Sequence, residues 1–358
     1  MLSHLVAGAV SLLITLVGTK FWITFLEKKA YGQFVRSDGP TTHHVKRGTP
    51  TMGGATLIVA VLIGYIVSHV AVPNSVSVST SGILILGLIV GFGLIGFIDD
   101  WLKISHAQSL GLGAIAKLSL QSVVGIAFAV LALQFPDGLG VTPASTSISF
   151  LRDIPWLGLP IVVAVIWISF LVTSFSNATN LTDGADGLLT GSAAMVFIAY
   201  GLVNVWQTNQ YCGYVETAGP MCYEVRNPGD LATIALAMAG ALFGFLWWNA
   251  RPAKIFLGDT GSLAIGAAVG GMAIMTRTEL LVVVIGLLFV LEATSVMAQV
   301  VFFKLTKGRR LFKMAPLHHH FEMLGWDEVT VVIRFWIIAG LSVIAGVGIF
   351  YAEWVVGA

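Results

Sequence analysis

The sequence predicts an all-α, polytopic membrane protein of about ten transmembrane helices, with both termini external and a cleft on the cytoplasmic side. Three observations carry that expectation. Of 358 residues, 56% are apolar and only 10% are charged, whereas a soluble domain carries about 25% charged residues. The mean hydropathy is +0.89. The apolar residues fall in runs long enough to cross a bilayer, for which roughly 20 residues suffice. The same figures exclude a soluble two-domain enzyme, a disordered chain and a disulfide-rich secreted module. A net charge of +1 excludes a nucleic-acid binder that works through a strong basic field.

Ten runs are legible, in order. The first, 2–26, has no basic residue ahead of it; Lys20, Lys28 and Lys29 come at or after its end, so it reads as a span and not as a cleaved signal. The second, 51–72, opens at Thr51-Met-Gly-Gly54, and the third, 82–101, ends on Asp99-Asp100. The fourth, 116–134, and the fifth, 160–176, precede a segment rich in Asn and Asp. The sixth, 190–207, and the seventh, 231–248, bracket the loop 208–230, which holds both cysteines, Cys212 and Cys222. A disulfide and two free thiols are both open there. The eighth, 261–277, follows Asp259; the ninth, 281–304, contains Glu292; the tenth is 330–356. None shows the period-two alternation of a membrane barrel. No linker or repeat divides the chain, so 1–358 reads as one integral membrane domain.

With ten spans, the loops 27–50, 102–116, 177–189, 249–260 and 305–329 share one side. Counting adjacent span ends, 16 of the 19 Lys and Arg residues lie there, leaving Arg152, Arg226 and Arg277 on the other. That bias marks the first set as cytoplasmic.

The informative acids gather on this side. Asp99 and Asp100 end a span, Asp183 and Asp186 lie in Asn180-Leu-Thr-Asp183-Gly-Ala-Asp186-Gly, and Asp259 lies in Phe256-Leu-Gly-Asp259-Thr-Gly-Ser. Carboxylates beside hydrocarbon are costly unless paired, hydrated or metal-bound. Oxygen ligands with Gly beside them and no Cys suit a hard cation such as Mg²⁺, which commonly binds through one or two carboxylates plus substrate phosphates. Asp99, where a span meets the surface, is the candidate base or positioning group, with Asp100 supporting it. Cations stand nearby: Lys46, Lys103, Arg251 and Lys254. The positive-inside bias accounts for most of them, and Lys46 is singled out as a phosphate partner. His318-His319-His320 can donate to phosphate or carry a proton. Zinc is disfavoured, because adjacent helical side chains diverge by about 100°.

Gly91-Phe-Gly93-Leu-Ile-Gly96 matches a dinucleotide fingerprint, but it lies inside an apolar run with no strand before it. Helix packing is the better account, and Gly266-x-x-x-Gly270 reads the same way. Two function classes remain: an enzyme acting on phosphate esters at the membrane surface with a lipid co-substrate, or a transporter. A transporter would place ionisable groups near the midplane, and Glu292 is the main such residue. Its simplest role is to pair with a neighbour and order helix packing.

The motifs at Asp99-Asp100, Asn180–Asp186, Asn249–Ser262 and Ala315–Glu322 resemble the signatures of the polyprenyl-phosphate N-acetylhexosamine-1-phosphate transferases. The resemblance covers the whole chain in motif order. Lys46–Gly54 and the intact His-His-His-Phe-Glu segment resemble the branch whose donor is UDP-N-acetylmuramoyl-pentapeptide. The resemblance implies a Mg²⁺-dependent enzyme of the bacterial inner (cytoplasmic) membrane, with ten spans and a homodimeric assembly. Undecaprenyl phosphate would attack the donor's β-phosphate, giving a lipid-linked peptidoglycan precursor and UMP. It implies Mg²⁺ on Asp259. Asn180, Asp183, Asp186 and Asn249 would shape the nucleoside and phosphate pocket, Phe256 would stack on uracil, and Lys46 would face a phosphate. His318, His319 and His320 would take the sugar or its phosphate, with Gln299 facing the same cleft. A covalent phospho-enzyme on an Asp is the alternative to direct attack. A UDP-N-acetylglucosamine donor is the alternative substrate.

Overall fold

The computed structural model describes residues 1–29, 48–73, 75–106, 111–213 and 221–357. The helices in them run in order: α1 (Leu2–Lys28), α2 (Gly54–Val70), α3 (Thr80–Ser105), α4 (Ala114–Ala132), α5 (Ile161–Thr182), α6 (Leu188–Asn209), α7 (Pro228–Asn249), α8 (Gly258–Met275), α9 (Val282–Ile285), α10 (Leu287–Leu305), α11 (Leu317–Met323) and α12 (Glu328–Gly357). The all-α polytopic expectation holds. Among the described residues, 8 helices are long and apolar enough to cross a membrane. The two expected spans outside that set are α2, with 17 residues, and α8, with 18. α2 is short. α8 is diluted by Asp259 and its glycines, and it lies away from lipid, with every residue from Thr260 to Met275 buried. A helix enclosed by protein does not need the apolar exterior that lipid demands.

α8 is the axis of the bundle. α3 and α5 pack along it, and α7 pairs with α1 and α6 beside it. Small residues permit the close approach: a Cβ on Gly266 would lie 2.2 Å from the Phe175 carbonyl oxygen. The glycine pattern in α3 serves packing too, since a Cβ on Gly93 would meet Ile58 Cδ1 at 2.3 Å. α4, α10 and α12 expose most of their side chains, as lipid-facing helices do.

Helix ends differ from the expected edges where they matter most. α3 continues to Ser105, so Asp99, Asp100 and Lys103 are helical. α5 continues to Thr182, which makes Asn177 and Asn180 helical and not part of a loop. Neither stretch contains Pro or Gly, and their polar side chains find partners inside the protein. The ninth expected span is interrupted at Gly286, between α9 and α10.

At the opposite end of the bundle lies a feature the sequence did not suggest, an antiparallel hairpin of β1 (Ser147–Ser149) and β2 (Asp153–Gly158). Glu279 Oε2 accepts from Ser149 N at 3.2 Å and Trp167 Nε1 at 3.0 Å, tying the hairpin to the helices. Burial pushes the Glu279 carboxyl up to about 7. Cys212 and Cys222 form a disulfide, which closes the open question of their state. Arg152 latches this region together, reaching Met221 O at 2.6 Å and Glu353 Oε1 at 2.7 Å.

Candidate active site

Four helix ends meet at the face that carries the Asp motifs: the C-termini of α3 and α5 and the N-termini of α4 and α8. Asp99, Asp100 and Asp259 each offer a carboxylate oxygen, and these lie within 4.8 Å of one another. Asp99 and Asp100 are each 2% exposed. Lys103 Nζ sits among them, 2.6 Å from Asp99 Oδ2, 3.0 Å from Asp259 Oδ2 and 3.7 Å from Asp100 Oδ1. Lys117, in the first turn of α4, pairs with Asp259 and stands 3.8 Å from Asp99 Oδ2. Three carboxylates against two ammonium groups leave one net negative charge.

The three acids are held differently. Asp100 caps α8: its Oδ1 accepts from Asp259 N at 3.1 Å, and its Oδ2 accepts from Thr260 N at 3.0 Å and Thr260 Oγ1 at 2.7 Å. Gly258 makes that approach possible, with φ of +73° and a site where a Cβ would lie 2.5 Å from Asp100 Oδ2. Asp99 is fixed at one oxygen, where Leu112 N donates at 2.8 Å. Asp259 is the most open, its side chain 14% exposed. With the Asn180 amide oriented to satisfy both neighbours, it donates to Asp259 Oδ1 at 3.2 Å and accepts from Lys117 Nζ at 3.3 Å.

The remaining expected residues form a second group around the turn after α5. Asp183 follows the last residue of that helix. Asp186 Oδ2 accepts from Ala253 N at 3.2 Å, joining this turn to the segment before α8. Asn249 spends its amide in the same join, accepting from Thr190 Oγ1 at 2.7 Å and donating to Ile255 O at 3.0 Å. Phe256 is half-buried, and its backbone pairs with Pro50 and Gly53. α11 presents its three imidazoles to three surroundings. His318 is fully buried, 3.1 Å from Glu292, and its Nε2 lies against Gly184. His319 Nδ1 is 2.8 Å from Glu322 Oε2. His320 Nδ1 accepts from Lys313 N at 3.1 Å. Gln299 holds the loop before α11, its Oε1 accepting from Leu311 N at 3.1 Å and Phe312 N at 2.8 Å. Lys46 lies outside the described residues.

Sequence reasoning missed Lys117 altogether and gave Lys103 no role. The signal for Lys103 was its spacing, four residues after Asp99 on a helix. Lys117 was a single cation at the mouth of an apolar run, and nothing distinguished it from the positive-inside bias. The donor set is all oxygen and retains net negative charge, which fits a hard divalent cation. Asp259 and Asp99 are the residues that could hold it, because Asp100 is committed to the α8 backbone. The same ammonium groups could meet phosphate oxygens.

Comparison with known proteins adds family membership. Residues 82–277 match glycosyl transferase family 4. A phospho-N-acetylmuramoyl-pentapeptide-transferase of Cutibacterium acnes is 60% identical over 353 residues, covering 99% of this chain and 99% of that protein. The protein of the same name in Paenarthrobacter aurescens is 58% identical, covering 99% of this chain and 100% of its own. That of an Arthrobacter species is 57% identical with the same coverage.

Proposed function

The chain belongs to glycosyl transferase family 4, among the phospho-N-acetylmuramoyl-pentapeptide-transferases, and on that premise we propose that it transfers phospho-N-acetylmuramoyl-pentapeptide from its UDP-linked donor to undecaprenyl phosphate. The products are the first lipid-linked peptidoglycan precursor and UMP. The reaction runs on the cytoplasmic face of a bacterial inner membrane, in a homodimer whose chains each act as one transferase domain. The observation that supports this best is the convergence of Asp99, Asp100 and Asp259 with Lys103 and Lys117 at four helix ends, beside lipid-facing helices.

A phosphate monoester and a nucleoside diphosphate repel each other, so the site must supply positive charge before they can approach. Lys103 and Lys117 provide it from the protein. Mg²⁺, held by Asp259, would add screening of the diphosphate and of charge on the transferred group. Asp99 orients the lipid phosphate and takes its proton, because Leu112 N and Lys103 fix the carboxylate at the point where α3 leaves the bilayer. An oxygen of the lipid phosphate then bonds to the β-phosphorus, and the bond from that phosphorus to the bridging oxygen breaks, releasing UMP. Direct attack needs no carboxylate nucleophile. Asp100 keeps Asp259 in place through the α8 N-terminus. Asn180, Asp183, Asp186 and Asn249 shape the nucleoside pocket with Phe256 on the uracil, and Lys46 faces a phosphate. The imidazoles of His319 and His320, with Gln299 behind them, meet the sugar or its phosphate, and His318, buried against Glu292, orients them from within.

The test is direct. Purified protein is incubated with undecaprenyl phosphate and, in turn, UDP-N-acetylmuramoyl-pentapeptide and UDP-N-acetylglucosamine, and UMP release is followed. Release with the first donor alone is expected. Release with the second alone reassigns the substrate, and release with neither overturns the reading.

A further inference from the structure

Five cations beside α10 have no task in the transfer. Lys304, Lys307, Arg309, Arg310 and Lys313 fall within ten residues, and no Asp or Glu occurs between Glu292 and Glu322. All five are exposed, and none makes a salt bridge among the described residues. α10 is among the least buried spans, with 22% of its apolar window inside the protein, so its end emerges from lipid. There the chain reverses tightly. Lys307 takes φ of 53°, Gly308 takes φ of 111°, and Gly308 N donates back to Phe303 O at 2.9 Å. The positive-inside bias explains cations at such an end. It does not explain the large apolar side chains set among them, Leu305 at 78% and Leu311 at 48% exposure. Lys313 Nζ donates to Met323 O at 3.1 Å and Arg310 to Lys313 O at 3.3 Å, so the segment keeps its cations without acidic partners, and apolar side chains interleaved with such cations suit the headgroup layer of an anionic membrane.

The segment is also tied to the site. Gln299 accepts from the Leu311 and Phe312 amides, Lys313 N donates to His320 Nδ1, and the Phe312 ring stands edge-on to the His320 ring at 5.5 Å between centroids. We propose that residues 304–313 are a docking surface for anionic phospholipid headgroups of the leaflet that faces the site, and that docking steadies His320. The second half rests on the proposed role of His320; the first half does not.

The variant Lys304→Gln/Lys307→Gln/Arg309→Gln/Arg310→Gln keeps Lys313 and its backbone bond. Full-length wild type and variant, solubilised from vesicles of phosphatidylcholine and phosphatidylglycerol, are compared by native mass spectrometry for retained lipid. Each lost cation should lower phosphatidylglycerol affinity by about fivefold, so retention should be nearly abolished in the variant. Equal retention overturns the docking surface, and so does displacement of the lipid from wild type by millimolar inorganic phosphate, which marks a free-anion site. UMP release is then compared in both vesicle types. Wild type should turn over faster with phosphatidylglycerol present, and the variant should show one rate in both. A wild-type rate indifferent to phosphatidylglycerol overturns the coupling to His320. A donor KM raised in the variant by the same factor with and without phosphatidylglycerol overturns the lipid assignment in favour of the donor's carboxylates. If no UMP appears in any vesicle, the proposed function fails, while the retention result still decides the docking surface.

Discussion

Replacing Asp100 separates a carboxylate that holds the site from those proposed to perform the chemistry. Asp100→Ala leaves the amides of Asp259 and Thr260 and the Thr260 hydroxyl without their acceptor. A buried donor left unpaired costs about 1–3 kcal/mol. Asp259 is 14% exposed at its side chain, so water can satisfy part of the first loss. Thr260 is 2% exposed, so its loss is felt almost in full. The sum is a destabilisation of about 3 kcal/mol, readable as a shift in denaturant unfolding of the detergent-solubilised protein. Asp100→Asn keeps one acceptor oxygen and should lose about half as much. Its transfer rate should fall yet stay measurable, because Asp259 remains near its place. Two results would refute this reasoning: wild-type stability in Asp100→Ala, or an Asp100→Asn variant as inert as Asp259→Asn while fully stable. The second would mean that Asp100 touches the reacting groups.

Other predictions follow from the same geometry. Asp259→Asn should abolish UMP release and Asp99→Asn should slow it severely, with unfolding transitions close to wild type; near-normal rates in both would remove the site. Chelation of divalent metal should stop turnover and added Mg²⁺ should restore it, whereas turnover persisting without metal would remove the cation from the mechanism. Gly96→Ala should cost about a hundredfold in rate through misplacement on the order of 1 Å, since the new Cβ would lie 2.1 Å from the Asp259 carbonyl oxygen; an unchanged rate would show that α3 and α8 can slide without consequence. For Glu279, burial raises the folded carboxyl to about 7 from an ordinary 4.5. The unfolded chain ionises first, so stability from this group is complete below about pH 4.5 and declines as pH rises to 7, by at most about 3 kcal/mol. Glu279→Gln should remove that decline, and a variant with the wild-type dependence would contradict the assignment.

The membrane architecture was legible because run length and the absence of charge depend on the bilayer alone, not on which helices touch. The acidic triad was legible for a related reason: an Asp at the end of an apolar run has few inexpensive places to go. What could not be read was direction. Asp100, Asn249 and Gln299 were grouped with their neighbours, yet their polar atoms hold backbone of α8, of the 250–257 segment and of the loop before α11. Composition cannot distinguish a side chain that faces substrate from one that faces an amide. Lys117 was hidden because a cation at a span end is expected on topological grounds. The β1–β2 hairpin was hidden because its strands are short and include Ser and Pro.

Placing the acids on helix ends has a physical consequence for how a reaction between a lipid and a soluble nucleotide can be held together. In the proposed reaction a membrane lipid and a water-soluble nucleotide must meet at a surface where loops would be poorly constrained. Here the spacing between Asp99 and Asp259 is set by the backbone contact of α3 with α8 at Gly96, not by the flexible side chains. Asp100 then fixes the rotation of the α8 N-terminus against α3. The charges follow the same economy. The C-terminal ends of α3 and α5 carry partial negative charge that would repel phosphate, and Lys103 and Lys117 stand at this junction to offset it. A triad built on enclosed helices can therefore keep a net negative charge for a cation while presenting ammonium groups to phosphates, which loops of the same composition would not hold in register.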